Sequence, residues 1–404
     1  MMKATLFLLA AAVLSFGIRA TEPAVRGFDM VKMWRKPDRK LSGPDRMTPV
    51  MENGRLAAVR INYPSPYRIP VSFWLPQYPC DGGSDPEKKY EGIAFEIQGD
   101  GSSEWDCITV GDTPNLQGRY FFPLSSREWK EFRVSFADMA PAGDHTAGLP
   151  AQMKAGMLNT FQFSDGWRIS WCNRKRTAFS YQVRNLRLVE KIRPSFETGK
   201  YAFRPLSEII TEMKAGKKVL VSCFGDSITA GTSLRPNEKR YAVLLGEMLA
   251  AKFKNPNIRT VCTAVGGAHT HNLLSWLDRD LTAGIPDVAT VLIGYNNRSG
   301  GQSAEMYRKQ LEMWLDRLAA RTNGKTAVIL IPTVPGVPRW YAQDDFARMT
   351  MEVAKKYNCT VARIDQAVKK IGPQEYRAKY LRDSVHPGPD GHKLFAEILT
   401  KCFE

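Results

Sequence analysis

The second half of the chain alternates short apolar runs with amphipathic segments, and this alternation constrains the fold more than any other feature. Each run has the length and composition of a strand buried on both faces, and each segment between runs has the period of a surface helix. Parallel strands need such crossovers, so the pattern predicts an α/β domain in which helices cover both faces of one parallel sheet, a doubly wound three-layer architecture. The predicted strands are Val219–Phe224, Ile258–Ala264, Val288–Ile293, Thr326–Ile331 and Thr360–Ile364, and the predicted helices are Arg240–Phe253, His271–Leu281, Ala304–Ala320, Asp344–Lys356 and Asp390–Lys401.

The first half has a different style of sequence. Short alternating or aromatic segments are separated by Gly, Pro, Asp and Asn, which is typical of an all-β sandwich. The segments include Val71–Leu75, Gly92–Ile97, Arg119–Pro123, Glu131–Phe136 and Trp167–Trp171. The 404 residues therefore divide into a β-sandwich domain over 21–195, a linker over 196–216 and the α/β domain over 217–404.

Residues 1–20 predict a secretory signal peptide. The basic residue Lys3 precedes the apolar stretch Ala4–Phe16, and Gly17–Ala20 offers a small residue for cleavage. A membrane anchor is the competing interpretation, but the stretch is too short to span a bilayer comfortably, and no later segment approaches that length. We therefore expect a secreted or periplasmic protein with no integral membrane segment after cleavage.

Charge and cysteine content constrain the partners. The 57 Lys and Arg against 41 Asp and Glu give a net charge of +16. The basic residues are scattered in small groups, which favours a solvated cationic surface over nucleic-acid binding and leaves an acidic glycan open as a substrate. Seven cysteines suit an exported protein, and Cys80 with Cys107 and Cys359 with Cys402 are candidate bridges.

Polar residues with catalytic potential stand where the predicted strands end. Ser227 follows the first strand, and His386 lies three residues after Asp383 in the last long loop. Serine is a poor nucleophile at its own pKa and needs an imidazole to take its proton, while a carboxylate orients that imidazole. Because ligands of such sheets bind beyond the carboxyl ends of the strands, we expect these side chains to converge at one rim as the triad of a serine hydrolase.

The other histidines are weaker candidates for the base. His392 lies inside the last predicted helix, where packing or solvent exposure is expected, and His145 belongs to the first domain. His269 and His271 could form a metal pair, but no carboxylate or cysteine stands at metal-ligand spacing from them. No metal site is therefore predicted.

An acyl-transfer site also needs donors for the oxyanion that develops in the transition state. Three are at hand: the backbone N–H of Ser227 at a predicted helix N-terminus, the N–H of Gly267 in a Gly-Gly turn, and the side-chain amide of Asn296. Each motif is weak alone, since glycine and asparagine are common in loops. Their order at successive strand ends, followed by the Asp-x-x-His, is the specific signal.

Taken together, these segments resemble the SGNH, or GDSL, hydrolase superfamily over about 217–404. Gly225–Ile228 is similar to the first block with its nucleophile, Gly267 and Asn296 are similar to the oxyanion positions of the second and third blocks, and Asp383–Gly388 looks like the last block. The resemblance implies a flavodoxin-like sheet, ester hydrolysis through an acyl-serine, and no metal or organic cofactor.

Two positions depart from the usual pattern of that superfamily. Asn297 stands where the third block usually continues with Asp, and Ala268 stands where the second block commonly has Asp. Both lie beside the inferred catalytic atoms, so they leave substrate class and rate open. No Gly-x-Ser-x-Gly surrounds Ser227, which argues against the nucleophile elbow of α/β-hydrolases.

The first domain carries a second resemblance. Gln98–Ser103 and Ser126–Phe132 are similar to the Gly-Asp-Gly-Ser and Glu-Trp-Lys segments of jelly-roll carbohydrate-binding domains of the family-11 kind. The resemblance implies glycan binding, with Trp74, Trp105 and Trp171 as candidate side chains for stacking on sugars. Two alternatives stay open: such aromatics fill a sandwich core, or the domain shapes the mouth of the active site.

The combined prediction is a secreted serine esterase that hydrolyses O-acyl esters on carbohydrates, with O-acetyl groups of a polysaccharide or sialylated glycan as the main hypothesis. One alternative is a lipase or thioesterase that uses the same site and prefers long acyl chains, although no apolar lid is evident. Another is a glycan-binding protein whose hydrolase domain is catalytically weak, which only Asn297 and Ala268 favour.

Overall fold

The computed structural model describes residues 47–63, 71–74, 86–111, 116–158, 160–164, 178–337 and 339–404. The expected signal peptide over 1–20, Cys80 and Trp171 lie outside these residues, and of Trp74 only the backbone is described. No helix that the structure describes is both long and apolar enough to cross a lipid bilayer.

The first half of the chain forms antiparallel β-structure. Its strands are β1 (Met47–Glu52), β2 (Arg55–Tyr63), β3 (Val71–Trp74), β4 (Lys89–Tyr90), β5 (Gly92–Gln98), β6 (Trp105–Gly111), β7 (Gln117–Pro123), β8 (Lys130–Ser135), β9 (Ala140–Pro141), β10 (Met153–Lys154), β11 (Thr160–Phe163) and β12 (Phe179–Val189). Within the described residues, one five-stranded sheet has the order β1-β2-β12-β5-β8, a second has the order β3-β11-β6-β7-β9, and β10 pairs with β4.

Alternation along these strands places apolar side chains between the two five-stranded sheets. On β12, Phe179, Tyr181 and Val183 are buried while the residues between them are partly exposed, as the two-residue period of a strand requires. The ring of Phe95 on β5 lies 5.5 Å from the ring of Phe122 on β7, centroid to centroid. The two sheets therefore pack face to face around an aromatic core.

The second half contains a parallel sheet with helices against it. Its strands are β13 (Val219–Gly225), β14 (Ile258–Cys262), β15 (Val288–Leu292), β16 (Ala327–Ile331) and β17 (Thr360–Val361), paired in the order β14-β13-β15-β16-β17. The helices are α1 (Leu206–Lys214), α2 (Ser227–Ala230), α3 (Tyr241–Phe253), α4 (Thr270–Asp280), α5 (Tyr295–Ser299), α6 (Ala304–Thr322), α7 (Asp344–Lys356), α8 (Ile364–Ile371), α9 (Pro373–Glu375) and α10 (Pro389–Lys401). The predicted α/β class is confirmed.

The central strands of this sheet are buried on both faces. Neighbouring residues of β13 point to opposite sides: Phe224 packs against Trp314, with ring centroids 5.2 Å apart, whereas Cys223 joins the cluster that contains Tyr241. Burial on both sides explains why the strand sequence is a continuous apolar run rather than an alternating one.

One local prediction differs from the structure. The last strand stops at Val361, and α8 begins at Ile364, because the buried pair Ile364 and Val368 has the spacing of a helix face rather than of a strand. Part of the predicted linker is the packed helix α1, which buries Ile209 and Met213 against the parallel sheet.

The candidate bridge between Cys359 and Cys402 is wrong, since both residues are unpaired thiols. Cys359 packs against the cluster that contains Trp314, and Cys402 packs against the cluster that contains Tyr241, on the other side of the sheet. A disulfide needs Cα atoms within about 7 Å of each other, which two layers separated by a sheet do not offer. For the other candidate bridge, Cys80 lies outside the described residues.

The two halves meet through a buried contact. The ring of Phe121 on β7 lies 6.5 Å from the indole of Trp276 on α4, nearly perpendicular to it. Arg317 on α6 is buried, and its guanidinium donates to the backbone oxygen of Asp138. The apolar core of the sandwich therefore continues into one helical layer of the α/β domain.

Candidate active site

Ser227 stands directly after β13, as the first residue of α2. Asp226 caps this helix, since its Oδ1 accepts the N–H of Ile228 at 3.0 Å. Burial raises the pKa of Asp226 to about 6. Because α2 has only 4 residues, local N–H groups rather than a long helix dipole would face an anion here.

Gly225 allows this turn to lie close against the neighbouring strand. A Cβ atom at this position would lie 2.4 Å from the backbone oxygen of Leu292 and 2.3 Å from Oγ1 of Thr229. A Cβ atom does not make non-bonded contacts shorter than 3.0 Å, so the approach of the Ser227 turn to β15 requires glycine.

The last long loop carries Asp383 and His386 and is fixed at several points. The N–H of Arg382 donates to the backbone oxygen of His386 at 2.8 Å, which closes the loop on itself. Oγ of Ser233 donates to the backbone oxygen of Pro387 at 3.1 Å and ties the loop to the segment that follows α2.

Three predicted side chains form one hydrogen-bonded series. Oγ of Ser227 lies 2.9 Å from Nε2 of His386, and Nδ1 of His386 lies 2.7 Å from Oδ2 of Asp383. With the proton on Nδ1, the ring donates to Asp383 and leaves Nε2 to accept the serine hydroxyl proton. This arrangement can deprotonate Ser227 during attack on a carbonyl carbon.

The second oxygen of Asp383 is held by the backbone. Oδ1 accepts the N–H groups of Val385 and His386, each at 2.7 Å. Burial acts to raise the pKa of Asp383, but these hydrogen bonds and the His386 ring outweigh it and hold the pKa below its ordinary value. The side chain therefore stays ionised and can orient the imidazole.

Two of the three predicted oxyanion donors, Gly267 and Asn296, lie on segments that are hydrogen-bonded to each other. Gly267 has φ of +73° in the turn after β14, which favours glycine. The side chain of Asn296, in the first turn of α5, donates from Nδ2 to the backbone oxygen of Ala268 at 3.0 Å. Since an amide nitrogen carries two hydrogens, a second N–H remains for an oxyanion.

Two histidines that were weaker candidates for the catalytic base, His392 and His145, lie outside the triad. His392 is buried, and its Nδ1 accepts the N–H of Tyr241 at 3.2 Å. Burial lowers the pKa of His392 to about 4, so the ring is neutral and packs in the core. His145 is exposed.

Asp144 is a residue that sequence reasoning missed. It lies in the loop after β9, 127 residues before His271, and no local signal connects the two. Its Oδ2 is 2.7 Å from Nδ1 of His269, and its Oδ1 is 3.1 Å from Nδ1 of His271. These three side chains could supply ligands to a metal ion, because the atoms concerned lie within 4.8 Å of one another. As placed, each imidazole is within hydrogen-bond distance of one carboxylate oxygen.

Of the three tryptophans predicted to stack on sugars, the structure describes the side chain of Trp105 alone. Trp105 is partly buried and packs against the core. The guanidinium of Arg184 lies 4.0 Å above the ring of Trp129, outside that core. Asp100 accepts the N–H groups of Ser102 and Ser180 at 2.9 and 3.1 Å, so the Gly-Asp-Gly-Ser segment forms a fixed turn.

Comparison with known proteins finds similarity in the second half of the chain. Residues 223–394 match the GDSL-like lipase/acylhydrolase family. An acetylxylan esterase from Geobacillus stearothermophilus is 24% identical over 211 residues, which cover 47% of this chain and 95% of that protein.

Solved structures of similar proteins include an acetylxylan esterase from Geobacillus stearothermophilus, which is 20% identical in sequence. The alignment covers 46% of this chain and 94% of that chain, with a TM-score of 0.40. They also include LAE5, an alpha/beta hydrolase enzyme from the metagenome of Lake Arreo, with 21% identity, 46% and 94% coverage, and a TM-score of 0.39. The family match spans every predicted triad and oxyanion residue, from Ser227 to His386. The family match and the acetylxylan esterase relative support the GDSL/SGNH hydrolase superfamily for residues 223–394, and the chain is a carboxylic ester hydrolase.

Proposed function

We propose that this chain is a secreted esterase that removes O-acetyl groups from a polysaccharide or other glycan through an acyl-serine intermediate. The observation that carries the proposal is the series from Ser227 through His386 to Asp383, joined at 2.9 and 2.7 Å. Support for an acetylated carbohydrate as the substrate class comes from the acetylxylan esterase relative.

In the proposed reaction, Oγ of Ser227 attacks the acetyl carbonyl carbon while Nε2 of His386 takes the hydroxyl proton. The carbonyl π electrons move to oxygen, and the N–H groups of Ser227 and Gly267 with Nδ2 of Asn296 stabilise the oxyanion. Collapse of this intermediate expels the sugar oxygen, which receives the proton from His386. Water, deprotonated by His386, then attacks the acyl carbon; the bond to Oγ of Ser227 breaks, Oγ takes the proton back from His386, and acetate leaves, while Asp383 holds the imidazole in place.

The proposal extends to the first half of the chain. Two antiparallel sheets packed face to face support a jelly-roll domain that binds the glycan, with Trp74, Trp105 and Trp171 as the candidate contacts. The sequence pattern over 1–20 supports export to the periplasm or medium. Export is tested by sequencing the N-terminus of the mature protein recovered outside the cytoplasm. Glycan binding is tested by comparing the affinity of Trp105→Ala for glycans with that of wild type.

The central experiment compares wild type with Ser227→Ala on 4-nitrophenyl esters of increasing acyl length and on acetylated xylan, pectin, sialic acid and peptidoglycan. We expect acetyl esters to be preferred and kcat to fall on the order of 10⁴ to 10⁶-fold in the variant. Near wild-type activity of Ser227→Ala would end the assignment of the nucleophile. Preference for long acyl chains would replace the carbohydrate esterase by a lipase, and glycan binding with no turnover of any acetylated polymer would favour a binding protein.

A further inference from the structure

We propose that Asp144, in the sandwich domain, is a positioning residue for the oxyanion side of the active site. It touches no reacting atom, but it fixes the relative position of the two segments that carry Gly267 and Asn296. The inference rests on the proposed role of Asn296 and concerns ester hydrolysis itself, whichever sugar or acyl group the enzyme prefers.

The backbone of the Asp144 loop is fixed by the hydrolase domain. Nε2 of Gln302 donates to the backbone oxygen of Asp144 at 2.7 Å. Nε2 of Gln310, on α6, donates to the backbone oxygens of Gly143 and Thr146 at 2.9 and 3.0 Å. Both glutamine side chains are buried, so these bonds persist out of reach of water.

The carboxylate of Asp144 lies close to nitrogen atoms of two separate segments, and it is hydrogen-bonded to His271 on one and to Asn297 on the other. Its side chain is 14% exposed and lies 2.7 Å from Nδ1 of His269 and 3.1 Å from Nδ1 of His271. On the other segment, Nδ2 of Asn297 donates to Oδ1 of Asp144 at 3.3 Å. One side chain of the sandwich domain therefore joins the segment after β14 to the segment after β15.

These partners are chain neighbours of the oxyanion donors. His269 follows Gly267 by two residues, and Asn297 directly follows Asn296. The packing is close, since a Cβ at Gly300 would lie 3.2 Å from Cε1 of His269 and 3.3 Å from Oδ2 of Asp144. Loss of the carboxylate would move both donors, and a displacement of about 1 Å at a catalytic group can cost about 100-fold in rate.

The same contacts account for the asparagine at position 297. Oδ1 of Asn297 accepts from the N–H and the hydroxyl of Thr270, each at 3.2 Å. Its Nδ2 donates to Oε1 of Gln302 at 2.7 Å as well as to Asp144. This buried position must both accept and donate, which an amide does and an ionised carboxylate does not. Asn297 therefore stands where related proteins usually have Asp because its amide can donate to Asp144.

A double-mutant cycle on the full chain tests the proposal. Asp144→Ala, Asn296→Ala and the double variant are compared with wild type on 4-nitrophenyl acetate. We expect Asp144→Ala to lower kcat roughly 10- to 100-fold with KM changed less than about threefold, and Asn296→Ala to lower kcat about 10²- to 10³-fold. If Asp144 acts through the oxyanion donors, its removal costs fewer-fold in kcat in the Asn296→Ala background than in wild type, because only the Gly267 N–H then remains to be displaced.

Multiplicative effects in the double variant, or an unchanged kcat in Asp144→Ala, would overturn the proposal. Asp144→Asn keeps the side-chain volume and replaces Asp144→Ala in the cycle if the latter folds poorly. Asp138→Asn is the matched control, since Asp138 is another buried carboxylate of the sandwich domain, bonded to the N–H of Ser195 at 2.9 Å. We expect it to lower the melting temperature without changing kcat. One zinc ion per purified chain, lost in Asp144→Ala, would replace the positioning role by a metal site.

Discussion

The buried amide of Asn297 offers a quantitative test of how the two halves fit together. In Asn297→Asp an oxygen replaces the nitrogen that now donates to Asp144 at 3.3 Å and to Gln302 at 2.7 Å. Two carboxylates 3.3 Å apart repel by about 5 kcal/mol at an effective dielectric constant of about 20. Uptake of a proton by one of them limits the cost at pH 7 to about 4 kcal/mol.

The assay is urea unfolding of wild type and Asn297→Asp at pH 7 and pH 5. A carboxyl whose folded pKa is raised costs stability as the pH rises, so the destabilisation should shrink to about 1 to 2 kcal/mol at pH 5. The double variant Asp144→Asn with Asn297→Asp restores a donor opposite the new acceptor and should regain at least half of the loss.

Asn185→Asp is the matched control for this prediction. Asn185 donates to Oε1 of Glu96 at 2.8 Å, but it is exposed, so the same chemical change should cost less than about 1 kcal/mol. An equally small cost for Asn297→Asp at pH 7 would refute the reasoning.

Two further predictions concern stability. Gly225→Ala should lower the free energy of unfolding by about 3 kcal/mol, because the new Cβ would meet the backbone oxygen of Leu292 at 2.4 Å; a change below about 1 kcal/mol in denaturant unfolding would contradict this. His392→Asn keeps an acceptor for the N–H of Tyr241 but cannot titrate. Since burial lowers the pKa of His392 to about 4 in the fold, wild type should lose up to about 3 kcal/mol relative to the variant as the pH falls from 6.5 to about 4. The readout is the difference in the free energy of unfolding between the two proteins at each pH, because the raised pKa of Asp226 changes the stability of both in the opposite direction over the same pH range. Parallel stability profiles of the two proteins would refute the prediction.

Strong periodic patterns made much of the α/β half predictable from sequence. Strand β16 begins one residue from its predicted start, and α7 over Asp344–Lys356 has the predicted bounds. Helix α8 was missed because Ile364 closes an apolar run that also fits a strand, and only its spacing to Val368 distinguishes the two.

The parts that sequence reasoning missed depend on contacts across the chain. His269 and His271 lacked a carboxylate in their local sequence, yet the fold supplies Asp144 from another domain. The pairing of Cys359 with Cys402 failed for the same reason, since spacing along the chain does not reveal on which side of a sheet a residue packs.

The contact between Phe121 and Trp276 has a consequence for protein engineering. Because the aromatic rings of the two halves bury each other, cutting the chain near residue 200 would transfer the Trp276 face, now 1% exposed, into water. The isolated hydrolase half would expose an apolar surface and tend to aggregate, even though it keeps every reacting group. Recombinant work on this esterase therefore calls for both halves in one polypeptide, which calorimetry should show melting as a single cooperative unit.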